Sequence, residues 1–204
     1  MPVKLEPIFL SGTSPSGAYL IHPAEFADER GAFCVLYETA DLKRAGLNTS
    51  FLQQSMSVSK KNVVRGLHYQ VGAHAQAKLV RCIKGEIWDV IVDLRKSSPS
   101  FGKWQGFKLT DENRLALYIP RGFAHGFAAI TDGATVLYQL DNEYAPKEEG
   151  GVRYDDPKLA IPWPVKTHPA PEGRSISNPA GLVTPLLSPK DLKWPLLKDA
   201  KIFE

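Results

Sequence analysis

Between Asn62 and Arg81 the chain reads Asn-Val-Val-Arg-Gly-Leu-His-Tyr-Gln-Val-Gly-Ala-His-Ala-Gln-Ala-Lys-Leu-Val-Arg, placing Arg65, His68 and Lys78 among alternating apolar residues and loop glycines. An arginine can clamp a phosphate, a histidine moves protons near neutral pH, and a lysine stabilises an oxyanion. Of the five histidines (His22, His68, His74, His125, His168), His68 and His125 fall in or at the ends of predicted strands, beside glycines that admit a ligand to the backbone. A strand histidine also serves as a hydrogen-bonded core residue, and that alternative stays open. Tyr138 and Tyr144 lie at even spacing on the last core strand and its exit. A phenol facing a histidine base can donate a proton to a carbanion. Asp191 either caps a short helix or fixes the tautomer of a histidine.

Short strands position these groups. Period-two patterning or short apolar runs predict strands over 18–21, 51–58, 78–83, 87–94, 104–109, 114–119, 123–130 and 135–140, with turn residues between them. A turn at Gly31 precedes a further strand through Tyr37, and 40–45 predicts one or two helical turns stopped by Gly46. Over 87–94 the pattern predicts a half-buried strand, with Trp88, Val90, Val92 and Leu94 on the core face and Asp89 and Asp93 opposite. So many short strands with little helix predict an all-β chain, most simply a double-sheet jelly roll with short peripheral helices.

The 204 residues suffice for one core, so a single domain over 1–204 is expected, with its core at about 18–163. The segment 164–204 reads as a proline-rich wrap; half of the 16 prolines fall between Pro162 and Pro195, with a helix start at Ser188-Pro-Lys-Asp191. A net charge of +3 without basic runs gives no reason to expect nucleic acid, and no apolar run is long enough to span a bilayer. With two cysteines and no signal-peptide pattern, a reducing cytoplasm is the expected compartment. Dinucleotide and P-loop glycine signatures are absent, as is any His-x-His pair of the kind that metal-binding cupin-type jelly rolls use. Neither a cofactor nor a metal is therefore expected.

The motifs Asp28-Glu-Arg-Gly31, Arg65-Gly-Leu-His-Tyr-Gln70, Gln76-Ala-Lys-Leu-Val80, Asp89-Val-Ile-Val-Asp-Leu-Arg95, Ser98-Pro-Ser-Phe-Gly102, Ile119-Pro-Arg-Gly-Phe-Ala-His-Gly-Phe127, Leu137-Tyr138, Tyr144-Ala-Pro and Asp155-Asp-Pro157 occur in order. On these the chain resembles the dTDP-4-dehydrorhamnose 3,5-epimerase family, from about Phe26 to Trp163 and again over 187–197. The resemblance implies a cupin-like jelly roll, a cofactor-independent isomerase, a nucleotide-sugar substrate and a homodimer. It also implies a place in dTDP-L-rhamnose synthesis, which feeds lipopolysaccharide or cell-wall polysaccharide.

It further implies His68 as general base with Asp191 orienting it, Tyr138 as acid on the other face of the sugar, and Lys78 near the C4 carbonyl oxygen. His125 would line the same pocket. Arg30 and Arg65 would contact sugar and diphosphate, Gln53, Tyr144 and Glu149 would hold the thymidine, and Lys190 would meet a phosphate. Phe33 would reach the neighbouring subunit's site. Two positions depart from the family pattern: Val35 stands where a glutamate is usual, and Ser55 where an asparagine is. Both lie in the contact region for nucleotide and sugar. A relative acting on another 4-keto sugar nucleotide, or inverting one carbon only, is thus a second reading; a metal-dependent or non-catalytic sugar binder is a third.

Overall fold

The computed structural model describes residues 2–165 and 185–204. His168 and the middle of the proline-rich stretch, 166–184, lie outside the described residues. In chain order the strands are β1 (Lys4–Pro7), β2 (Tyr19–His22), β3 (Ala24–Asp28), β4 (Gly31–Val35), β5 (Gln53–Ser59), β6 (Val64–Gln70), β7 (Lys78–Lys84), β8 (Glu86–Asp93), β9 (Trp104–Thr110), β10 (Ala116–Ile119), β11 (Phe123–Ala129), β12 (Ala134–Leu140) and β13 (Glu149–Gly151). One sheet runs β1-β2-β10-β7-β12-β5 and the other β13-β6-β11-β8-β9, every pairing antiparallel, while β3 and β4 form a separate hairpin. This is the double-sheet jelly roll expected. No helix among the described residues is long and apolar enough to cross a membrane.

Strand β8 shows how the layers stack, and it corrects the sequence reading. Ile87 and Ile91 project between the two sheets, against Val80, Cys82, Phe123, Phe127 and Val136. Val90, Val92 and Leu94 point the other way and pack under Val152, Leu159, Ile161 and Leu197. Both faces are buried, so Asp89 and Asp93, expected on a solvated face, are wholly enclosed. The period-two pattern identified the strand. What it lacked was the outer layer, contributed by residues far along the chain that cover the second face. The outer face of the larger sheet is likewise covered in part: Leu42 of helix α1 (Thr39–Arg44) packs with Val3, Ile21, Leu79 and Tyr118.

The β6–β11 pairing carries an irregularity that matters for everything below. His68 pairs with His125 and Arg65 with Phe127, so two residues of β6, Gly66 and Leu67, oppose Gly126 alone. On a regular strand, residues three apart face opposite ways; this bulge returns Arg65 and His68 to the same, inward face. The backbones approach so closely that a Cβ on Gly66 would lie 2.5 Å from the Gly126 Cα, and Gly66 holds φ at +125°. Only glycine meets both demands. Gly66→Ala is accordingly expected to lower stability by about 2–4 kcal/mol in urea denaturation, with loss of turnover in whatever folded fraction remains; an unchanged midpoint would show that the two strands can part cheaply.

Candidate active site

The inward positions of six strands converge. Lys78 lies on the same face of β7 as the core residues Val80 and Cys82, and Tyr138 on the same face of β12 as Val136. His125 is flanked inward by Phe123 and Phe127, and Asp89 by Ile87 and Ile91. His68 is carried to this face by the bulge. Edge strand β5 adds Ser55, directly opposite Tyr138 in the ladder, and Ser57. Polar groups thus form a contiguous set within an apolar surround, where their electrostatic interactions are stronger than in water.

His68 Nε2 shares a short hydrogen bond with a carboxylate oxygen of Asp191, a residue that is only 3% exposed. Asp191 opens a 3₁₀ turn (Asp191–Lys193) rather than an α-helix. Its backbone N–H donates to Ser188 Oγ (3.1 Å), and the Ser188 hydroxyl donates to Asp191 Oδ2 (2.9 Å). Ser188 therefore both starts the turn, as the sequence indicates, and fixes the carboxylate. Burial by itself would raise the pKa of Asp191, but the hydrogen bonds and charge of His68, with the Ser188 hydroxyl, outweigh it and hold the carboxyl below its ordinary range. With Nε2 engaged, the imidazole has Nδ1 left to accept a proton. The Trp194 indole packs edge-on against the His68 ring, centroids 6.0 Å apart.

Across the sandwich, the Tyr138 ring meets His125, the ladder partner of His68, edge-to-face at 6.3 Å. The phenol oxygen is 2.9 Å from Ser57 Oγ. Burial pushes the Tyr138 phenol far above its usual pKa, against the opposing influence of Ser57 and Arg65, so it carries its proton throughout the physiological range. Lys78 Nζ donates to the His68 carbonyl oxygen (3.2 Å). Burial lowers its pKa to about 8, with Asp89 and Glu149 pulling it back up. His125 Nε2 lies 2.8 Å and 3.0 Å from the two oxygens of Asp89.

A second cluster adjoins the first. Glu149, on β13 beside β6, receives Lys190 Nζ at 2.5 Å and the Tyr144 hydroxyl at 3.1 Å. Lys190 directly precedes Asp191 and also lies 5.7 Å over the Trp194 ring. Gln70 holds the neighbouring loops together, donating to the carbonyls of His74 (2.7 Å) and Glu143 (2.9 Å). At the rim, Arg65 donates to Ser59 Oγ (3.0 Å) and Gln53 to Ser55 Oγ (2.8 Å). Arg30 and Phe33 are not gathered in: the Arg30 guanidinium is engaged by Asp28 at 2.6 Å, and Phe33, 69% exposed, packs only on Phe26. Both belong to the β3–β4 hairpin, which pairs with neither sheet.

Two members of the site escaped sequence reasoning. Asp89 does have a signal in the sequence, since Ile87 and Ile91 share its face and mark that face as buried. Ser57 has none; its place is set by the β5–β12 register. Among the described residues no group of three or more His, Cys, Asp or Glu side chains is placed to hold a metal ion.

A family model described as dTDP-4-dehydrorhamnose 3,5-epimerase matches residues 13–199. The dTDP-4-dehydrorhamnose 3,5-epimerase of Salmonella typhimurium is 42% identical over 186 residues, 91% of this chain and 93% of that protein. The dTDP-4-dehydrorhamnose 3-epimerase of Streptomyces niveus is 40% identical over 186 residues, covering 91% and 82%. Among solved structures, dTDP-6-deoxy-D-glucose-3,5-epimerase from Legionella pneumophila, in complex with dTDP-4-keto-L-rhamnose, superposes with a TM-score of 0.79 at 36% identity, covering 97% of this chain and 94% of the other. The motifs, the jelly roll and these relatives agree: the chain belongs to the dTDP-4-dehydrorhamnose 3,5-epimerase family.

Proposed function

We propose that this enzyme inverts C3 and C5 of a dTDP-4-keto-6-deoxy-hexose, giving dTDP-4-dehydro-L-rhamnose, by moving protons on the carbons beside the C4 ketone. The observation that carries this reading is one inward-facing set holding a carboxylate-bound imidazole (His68–Asp191), a neutral phenol (Tyr138) and an ammonium (Lys78). His68 Nδ1 takes the proton from the carbon while the C–H electron pair moves toward the ketone oxygen. The Lys78 ammonium stabilises the negative charge arriving there. Tyr138 then delivers its proton to the opposite face of the same carbon, which inverts it. Exchange with solvent returns a proton to Tyr138 and removes the one on His68, and the cycle repeats at the second carbon.

Remote contacts fix the ring for this chemistry. We assign Arg65 and Lys190 to the diphosphate, and Gln53, Tyr144 and Glu149 to the thymidine; their position around the His68 rim supports this. His125 lines the pocket between base and acid. Large apolar side chains lie exposed on the outer face of β5, Met56 (62%) and Val58 (59%), and on the hairpin, Phe33. Such a concentration of apolar surface fits a homodimer in which Arg30 and Phe33 complete a partner's site. Cys34 and Cys82 are free thiols, which fits a reducing compartment such as the cytoplasm.

The similarity to the Streptomyces niveus 3-epimerase favours one alternative, inversion of C3 alone. Turnover of dTDP-4-keto-6-deoxy-glucose in deuterated water separates the two. Our reading predicts deuterium and inversion at both C3 and C5; label confined to C3 would establish the alternative, and none at either carbon would exclude epimerase chemistry on this sugar.

The Lys78 ammonium is the working form, so activity present below its pKa is lost as pH rises through about 8. A profile of kcat/KM against pH is expected to show an alkaline limb there, and Lys78→Arg to abolish that limb in its residual activity. A wild-type profile flat to well above pH 8 would remove Lys78 from this role.

A further inference from the structure

The mechanism above leaves Asp89 unused, although it is 0% exposed and sits in the middle of the inward set. Nothing in the apolar packing calls for a carboxylate between Ile87 and Ile91, and burying one is costly unless it is paired. Its geometry shows how it is paired. His125 Nε2 is nearly equidistant from both oxygens, at 2.8 Å and 3.0 Å. That is one N–H shared by a carboxylate; a carboxylic acid would aim a single O–H at the nitrogen. His125 is itself 4% exposed, so this is a dry contact.

We propose that Asp89 is a positioning residue for the epimerisation: its enclosed carboxylate is the counter-charge that keeps Lys78 an ammonium beside the ketone oxygen, and it locks the His125 ring between His68 and Tyr138. The inference rests on the proposed epimerase reading. Lys78 does not spend its donor on Asp89 but on the His68 carbonyl, so its charge stays available to substrate while Asp89 neutralises it through the barrel interior. The groups set around Lys78 are His68 on β6, His125 on β11, Asp89 on β8, Tyr138 on β12 and Glu149 on β13. Tyr138 is neutral, Glu149 is engaged by Lys190, and Asp89 is left as the anion with no cation of its own. Burial pushes the Asp89 carboxyl upward and His125 and Lys78 oppose that, so the two charges hold each other in place.

The test is Asp89→Asn, which keeps shape and removes charge, compared with His125→Asn, which leaves the carboxylate a donor. In the wild-type enzyme, deuterium exchange into substrate must first be seen; its absence sinks the epimerase reading itself. Given exchange, Asp89→Asn is expected to move the alkaline limb of kcat/KM to lower pH by about one unit, the effect of losing one nearby opposite charge. At neutral pH kcat should fall more than KM rises. His125→Asn should lower the rate and leave the limb where it was. A limb unmoved in Asp89→Asn, or moved equally in both variants, overturns the proposal. Should Asp89→Asn not fold, carboxyl NMR of the 13C-labelled wild-type enzyme decides the same point: an Asp89 ionised through the neutral range supports the counter-charge, and a protonated one excludes it.

Discussion

Where Gly66 passes Gly126, the backbones of β6 and β11 come closer than Cβ-bearing residues allow, and β6 spends one residue more than its partner. That extra residue reverses the facing of the rest of β6. Without it, Arg65 and His68 would stand on opposite sides of the sheet, one in the barrel and one under the outer layer. With it, the rim cation and the imidazole share a face, while Leu67 and Tyr69 fill the outer core. The chemistry therefore depends on a backbone constraint. Neither the histidine nor the arginine does anything useful unless the two glycines let the strands meet.

The second constraint is electrostatic. A barrel filled with Ile, Val and Phe is a poor medium for charge, and each polar group that enters has its own offset. Asp191 is held by His68 and Ser188, and Asp89 by His125, while Tyr138 avoids the cost by staying neutral. Lys78 is left under tension, its ammonium destabilised by burial. A cation in that condition gains most when an anion forms beside it, which is the situation an enolate creates. The apolar packing that supports the fold also sharpens the site's response to developing charge.

Much of this was legible in the sequence, for identifiable reasons. Alternation over 87–94 and 135–140 marked strands correctly, and a chain of such strands led to the jelly roll. Ser188-Pro-Lys-Asp191 announced a helical start, and the serine does receive the Asp191 N–H, although a 3₁₀ turn forms rather than an α-helix. Other features were out of reach because they depend on distant residues. Asp89 was assigned to the solvated side, since nothing local says that a second sheet closes over that face. The strands Lys4–Pro7 and Glu149–Gly151 are short, without clear alternation, and form because a neighbouring edge is there to pair with. Arg30 and Phe33 came from family resemblance, and their hairpin turns outward in a single chain.

The account stands on His68 and Tyr138 addressing one sugar ring from its two sides, and isotope exchange in the two single variants tests that division of labour directly. In deuterated water, Tyr138→Phe should still exchange substrate hydrogen at the carbons beside the ketone while failing to invert at least one of them, because the base survives and the opposing acid does not. His68→Asn should neither exchange nor invert, with turnover down by about 10²–10⁴ and nucleotide binding retained. A Tyr138→Phe enzyme that makes the wild-type product ratio, or a His68→Asn enzyme that still exchanges at the wild-type rate, would contradict it.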